Sequence, residues 1–238
     1  MKKENIIFIL DGSQMANNVA QAARAMANFG FRKLRLVNPL NLPSAERMAR
    51  GGAEVVREAV QFSSLDDALA DLKWVLGTTG KQVVGSREEL VRPEEGLAEL
   101  AGISDKGPVG IVFGCENHGL TTGQLKTMDR LTHIPTHGDC LSINLAQSVA
   151  ILSWELEKSV LGAPLALDGG LPSHQKRQQL FLKVDQLMSQ ANVSPRGRKQ
   201  VLVDGVRQFL NRRPLNDKDL SLLLRALNLL QKRSEESD

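Results

Sequence analysis

The apolar residues of the first 160 positions fall into two alternating rhythms. Short, nearly unbroken runs at 6–10, 33–37, 74–78, 109–113 and 131–134 predict β-strands. Between them, apolar residues spaced by three and four predict helices over 18–29, 65–72, 122–128 and 142–160. The last is the clearest, with Leu145, Val149, Leu152 and Leu156 on one stripe. Strand and helix in alternation imply a mostly parallel sheet with helices on both faces, an α/β fold. A glycine- and proline-rich stretch follows, and beyond it the pattern is helical only. Leu180, Val184 and Leu187 form one stripe, Leu202, Val206 and Phe209 a second, and Leu220, Leu223, Leu224, Leu227 and Leu230 a third. The expected organisation is an α/β domain over 1–161, a linker over 162–173 and a small all-helical extension over 174–238.

Composition narrows the setting. No run approaches the roughly 18 apolar residues of a membrane span. The basic start, Met-Lys-Lys, precedes an apolar run of only 6–10 that ends at Asp11, which reads as a first strand and not as a leader peptide. Cys115 and Cys140 are the only cysteines, so no disulfide framework is expected and a cytoplasmic location is. The net charge of +3 is uneven: residues 160–238 hold thirteen Lys and Arg against eight Asp and Glu, while the remainder is slightly acidic. A basic tail suits a polyanionic partner, with Arg207, Arg212 and Arg213 as candidate phosphate contacts. Tyrosine is absent and most Phe and Trp sit in apolar segments, so phosphate contact and shape reading are favoured over base stacking.

Three motifs hold candidate chemistry. The first, Asn18-Val-Ala-Gln-Ala-Ala-Arg24, follows the first strand; Asn18 with Gln21 resembles a capping box that starts a helix. Val19, Ala22, Ala23 and Met26 are its expected buried stripe, which leaves Arg24 off the core with Ala20 and Asn17. A capped helix with one solvated arginine is the plain alternative. The second, Gly114-Cys-Glu116-Asn-His118-Gly119, follows a buried strand and mimics the dinucleotide fingerprint G-x-G-x-x-G. That fingerprint uses its middle glycine to bring backbone to a pyrophosphate. Glu116 stands there and repels phosphate, which disfavours a nicotinamide cofactor and suits a ligand without net negative charge. A ligand-free strand–helix turn is the plain alternative. The third runs from Ile134 through Pro135, His137 and Gly138 to Ser142, Ile143 and Asn144, where Ser142 or a neighbour caps the long helix. Alone it reads as an ordinary capped loop.

In this order and on a chain of this length, the motifs resemble the SPOUT RNA methyltransferases. Within them the chain is similar to the tRNA 2′-O-ribose methyltransferases that modify nucleotide 32 of the anticodon loop (the TrmJ type), with LasT-type relatives beside them. Arg35-Leu-Val-Asn-Pro39 and the tail segments 207–214 and 222–225 share in the likeness. The resemblance implies a C-terminal trefoil knot in the α/β sheet, a homodimer, tRNA as partner, S-adenosylmethionine as cofactor, and no metal. It places cofactor contacts at Thr78, Thr79, Gly80, Gly114, Ile134, Leu141, Ser142 and Ile143, and catalytic or site-shaping roles at Asn18, Arg24, Glu116, Ser142 and Asn144. The chain departs from the family pattern at Ala20, where glycine is usual, and at Cys115, where Arg or Asn is usual.

Methyl transfer to a hydroxyl depends on alignment and on charge stabilisation as the oxygen becomes an alkoxide. A guanidinium is a poor base, so Arg24 is expected to clamp a phosphate, orient the ribose and stabilise the alkoxide. His118 and His137 have the intrinsic basicity for proton transfer, but the polar-loop reading is favoured for each. Three other functions fit parts of the pattern: methylation of rRNA or of a base nitrogen by an enzyme of the same superfamily, a catalytically silent RNA- or cofactor-binding module (for which Ala20 speaks), and a Rossmann-type oxidoreductase, against which Glu116 speaks.

Overall fold

The structure, a computed structural model, describes residues 1–39, 42–80, 90–137, 142–159, 170–190, 204–208 and 215–235. The chain divides into two compact units, Met1–Leu167 and Asp168–Asp238.

The first unit is built on seven parallel strands: β1 (Ile6–Asp11), β2 (Lys33–Val37), β3 (Val60–Phe62), β4 (Trp74–Thr78), β5 (Leu90–Val91), β6 (Val109–Phe113) and β7 (Arg130–Thr132). Their order in space is β3-β2-β1-β6-β4-β7-β5. β6 lies between β1 and β4, and β7 between β4 and β5, so the later strands pair with strands laid down before them. The helices are α1 (Ala16–Asn28), α2 (Leu42–Met48), α3 (Ala53–Arg57), α4 (Leu65–Leu69), α5 (Pro93–Ser104), α6 (Thr122–Leu125) and α7 (Leu145–Ser159), with a 3-10 turn at Arg50–Gly52.

β1 shows why the central strands are apolar throughout. Covered on both faces, it sends Ile7 and Ile9 into a cluster with Leu65, Leu69, Val75 and Val112. On the other side, the Phe8 ring lies 5.3 Å from Phe31 and 6.2 Å from Phe113. The edge strand β3 is exposed at Val60 and Gln61, and its three residues give no periodic signal. Helix α5 starts on Pro93 with Glu94 and Glu95 in its first turn, a start signal that the apolar periodicity leaves unread.

Several boundaries differ from the sequence expectation. Helix α1 starts at Ala16 with Met15 at its N-cap, so Asn18 lies inside the first turn and is not the cap. Ala20 is fully buried, not on the solvated side, because α1 packs against α2, α3 and α7 on different flanks. β7 begins one residue earlier than expected and stops at Thr132, and α6 ends at Leu125.

The second unit contains α8 (His174–Gln190), α9 (Asp217–Glu235) and helical residues 204–208. Asn216 caps α9, its side chain accepting from the Asp219 N–H at 2.8 Å. Lys176 ties α8 to α9 through Asp217 at 2.8 Å and Ser221 at 3.0 Å. Leu180 and Leu220 are buried as the stripes require, but Leu230 faces solvent with Leu222 and Leu229. Leu202 and Phe209 lie outside the described residues.

Candidate active site

All three motifs arrive at the C-terminal edge of the sheet, where ligands of open α/β sheets bind. The turn after β1 delivers Ser13, Gln14 and then α1. The turn after β6 delivers Glu116, and the chain after β7 leads to Asn144 at the start of α7.

Glu116 joins them. Its Oε1 accepts from the Ser13 hydroxyl at 2.8 Å and from Asn18 Nδ2 at 2.8 Å, and its Oε2 accepts from the Gln14 N–H at 3.3 Å. Asn18 Oδ1 in turn accepts from Asn144 Nδ2 at 3.2 Å. Asn144 Oδ1 caps α7, taking the N–H groups of Ala146 at 2.9 Å and Gln147 at 3.4 Å. One continuous hydrogen-bonded path therefore runs from the β1 turn through Glu116 and Asn18 to the N-terminus of α7. Burial pushes the Glu116 carboxyl up, but the donors from Asn18, its own backbone, Ser13 and Gln14 outweigh burial and hold it below the ordinary Glu range. It is an ionised clamp. Beside it, burial pushes Asp11 up, against a 2.5 Å hydrogen bond from Gln124 and the nearby His118 charge.

Gly114 has a structural reason to be glycine. A Cβ there would lie 2.2 Å from the backbone of Gly119 and Leu120, because the loop folds back on itself. The Gly119 N–H closes that turn on the Cys115 carbonyl at 2.9 Å. Cys115, the departure from the family pattern, is buried with its Sγ 3.2 Å from His118 Nε2. His118 itself is exposed, and its Nδ1 lies against the Gly119 carbonyl.

The expected cofactor contacts form a second group along the same edge. Thr78 turns its hydroxyl into the sheet and donates to the Val112 carbonyl at 2.9 Å. The Thr79 N–H donates to the Thr132 carbonyl at 3.0 Å, and His133 Nδ1 meets the Thr79 carbonyl at 3.0 Å. Next to them Gly80 faces open space, while Ile134 and Ile143 are half-buried and Ser142 is exposed. Open backbone at Gly80, with the half-buried Ile134 following the His133 that meets Thr79, suits a flat, uncharged nucleoside better than a pyrophosphate. An S-adenosyl ligand fits this edge. Among the described residues no group of side chains has metal-ligand geometry, and no helix is long and apolar enough to cross a membrane.

Arg24 stands apart. It lies six residues beyond Asn18 on α1, about 120° around the helix, and is exposed. Among the described residues its guanidinium makes no hydrogen bond or ion pair. Its backbone is held closely: a Cβ on Gly52 would lie 2.5 Å from the Arg24 nitrogen. The sequence reading missed Gly52, Ser13 and Gln14. The polar Gly12-Ser13-Gln14 turn at the end of a buried strand was the available signal for the last two. Of the expected RNA contacts, Arg207 places its guanidinium over the Phe181 ring at 4.8 Å. Arg212, Arg213 and the expected cofactor contact Leu141 lie outside the described residues, while His137 is exposed.

Comparison with known proteins gives a consistent picture. Residues 5–154 match the model of the SpoU rRNA Methylase family. The tRNA (cytidine/uridine-2′-O-)-methyltransferase TrmJ of Pectobacterium atrosepticum is 30% identical, over 98% of this chain and 99% of its own. The tRNA (cytidine-2′-O-)-methyltransferase TrmJ of Methanocaldococcus jannaschii is 29% identical, over 93% of this chain and 97% of its own. The crystal structure of TrmJ from Z. mobilis ZM4 superposes with a TM-score of 0.77 at 27% identity, covering 94% of this chain and 98% of that one.

Proposed function

The chain belongs to the SpoU rRNA methylase family, and on that premise we propose that it methylates a ribose 2′-hydroxyl of tRNA, cytidine or uridine 32 of the anticodon loop, using S-adenosylmethionine. The observation that carries this reading is the path from Ser13 through Glu116 and Asn18 to Asn144, which ties together the segments that follow β1, β6 and β7 at the C-terminal edge of the sheet. Near full-length likeness to relatives named for this reaction supports it.

S-adenosylmethionine, when bound at Thr79, Gly80, Ile134, Ser142 and Ile143, supplies an electrophilic methyl group. The protein's own part is alignment and charge. Glu116 and Asn144 fix the loops that border the cofactor edge. Arg24, exposed and uncommitted, binds the phosphate next to the target ribose and stabilises the oxygen as it takes on negative charge. The exposed position of Arg24, about 120° around α1 from Asn18, is compatible with its serving the cofactor edge of a second copy in the two-fold dimer that the family resemblance implies. The exposed Trp154 on α7, whose ring lies 5.9 Å from Phe29 of α1, is a fitting contact for that copy.

Ala20 no longer favours a silent module. It sits within α1, where alanine is the preferred residue, and a backbone requiring glycine is absent there. The decisive experiment is labelled-methyl transfer to bulk tRNA and to rRNA, followed by nucleoside mass spectrometry of tRNA from cells lacking the protein. Loss of a 2′-O-methyl pyrimidine from tRNA is expected. Transfer to rRNA alone would move the substrate to the one named in the matched family model, and transfer to neither would leave a binding module.

A further inference from the structure

Pro43, Glu46, Arg47, Arg50, Ala53 and Arg57 line an open groove of about 480 Å³ formed by α2, the 3-10 turn and α3. Its charge is strongly one-sided. Among the described residues Glu46 is the only carboxylate in the lining, and it is engaged by Arg57, Nε to Oε1 at 2.8 Å. Arg47 makes one hydrogen bond among the described residues, to the Ser44 hydroxyl at 3.2 Å. Arg50 is exposed and, among the described residues, has no partner. Two guanidiniums thus stay unneutralised in a unit whose sequence is slightly acidic overall.

Two further observations set this groove apart from an ordinary basic surface. Arg50 holds a left-handed backbone at φ 46° although Gly51 and Gly52 follow it. Such a conformation costs about 1 kcal/mol or more for a non-glycine residue, and such outliers gather where a side chain must be aimed. The same turn is also fastened to Arg24, because Gly52 packs directly on the Arg24 backbone. The groove's 3-10 turn therefore packs directly against the backbone that carries the proposed catalytic arginine.

We propose that this groove holds the RNA backbone beside the methylated nucleotide, with Arg47 and Arg50 each contacting a phosphate; the inference rests on the functional reading above. A guanidinium presents a planar fork that matches phosphate oxygens. Among the described residues the lining has no aromatic ring on which a base would stack, so these contacts set position and affinity and do not read sequence. Arg57, held by Glu46, shapes the wall.

The test uses the full chain and bulk tRNA. Binding is measured across about 50–200 mM salt for the wild type, the Arg47→Gln/Arg50→Gln double variant, Arg50→Lys, and Arg32→Gln as an exposed arginine outside the groove. The double variant is expected to lose about 0.7–0.9 of log–log salt slope per phosphate contact, and to bind about fivefold more weakly per contact near 0.15 M salt. Binding of S-adenosylhomocysteine and the melting temperature should stay at wild-type values. Arg50→Lys keeps the charge and should keep most of the slope, and Arg32→Gln should change neither quantity. A double variant with wild-type slope and affinity overturns the proposal, as does an equal loss in Arg32→Gln. So does a groove that binds inorganic phosphate while tRNA binding ignores both substitutions. A wild-type protein that neither binds nor methylates tRNA overturns the functional reading itself, which separates that failure from this one.

Discussion

At the scale of single residues the site separates into groups that hold and a group that acts. Glu116 holds. Its carboxylate is kept ionised by donors from the β1–α1 segment and its own backbone, so Glu116→Gln should weaken loop assembly by about 1 kcal/mol, less than a fully buried charged acceptor would cost because Glu116 is only half-buried. The pH dependence has a definite sign. A carboxyl whose folded pKa lies below its unfolded value of 4.5 stabilises the fold fully above that value and loses the contribution as pH falls through the folded pKa. The stability difference between wild type and Glu116→Gln, followed by urea denaturation, should therefore shrink on acidification below about pH 4. Arg24 acts. It is exposed and carries no structural partner among the described residues, so Arg24→Ala should abolish methyl transfer with cofactor affinity changed by no more than a few-fold. Full turnover in that purified variant would remove Arg24 from the mechanism. The sequence made Arg24, Glu116 and Asn144 legible as polar residues on an otherwise apolar framework. It could not show that Asn18 is spent on Glu116 and Asn144, since a helix start two residues earlier is decided by packing and not by the local capping signal.

At the scale of elements, long periodic segments were readable and short ones were not. The buried strands β1, β4 and β6 and the helices α1 and α7 repeat their pattern often enough to stand out. β3 and β5, with three and two residues, exist only because a neighbouring strand pairs with them. The 3-10 turn was equally invisible, yet it is the piece fastened to Arg24. Gly52→Ala should force the turn off α1, because its Cβ would meet the Arg24 and Ala23 backbone at 2.5–2.7 Å and backbone cannot rotate aside. A cost of about 1–3 kcal/mol is expected from such overpacking, with methyl transfer falling more than cofactor binding. Gly51→Ala, whose Cβ meets nothing within 4 Å, is the matched control. In the second unit, His174 on α8 is 2% exposed and neither ring nitrogen has a hydrogen-bond partner among the described residues. Burial, with the nearby Arg177 charge, pushes its pKa down to about 3. The folded state therefore favours neutral imidazole. Stability should be constant above the unfolded value near 6.5 and fall as pH drops toward 3, by up to about 1.4 kcal/mol per pH unit. His174→Leu should flatten this slope in denaturation curves taken between about pH 7.5 and pH 5; an unchanged slope would assign the acid sensitivity elsewhere.

At the scale of the whole molecule, the question is how RNA affinity divides between the two units. The tail from residue 160 holds the basic excess, while the α/β unit is slightly acidic overall but carries the Arg47 and Arg50 groove beside Arg24. The unit Met1–Leu167 owns the seven-stranded sheet and its core, so truncation after Gly162 should leave a folded protein that still binds S-adenosylmethionine. If the tail supplies general phosphate contacts and the groove supplies positioning, the truncated protein should methylate tRNA poorly at low substrate and recover much of its rate as tRNA is raised, a change in KM more than in kcat. Its tRNA salt slope should fall by about 0.7–0.9 per contact removed. Neutralising Arg212 and Arg213 in the full chain should reproduce part of that fall. Arg207, whose guanidinium lies over Phe181, should instead affect the stability of the helical unit. The competing account makes the tail a purely structural cover, with Leu222, Leu229 and Leu230 buried against a second copy. Truncation would then cause dissociation or aggregation, and the arginine substitutions would leave the salt slope untouched. Salt-dependent affinity and mass in solution, measured on the same truncated and substituted proteins, decide between the two: a normal dimer with a wild-type slope would take RNA binding away from the tail and leave it to the α/β unit.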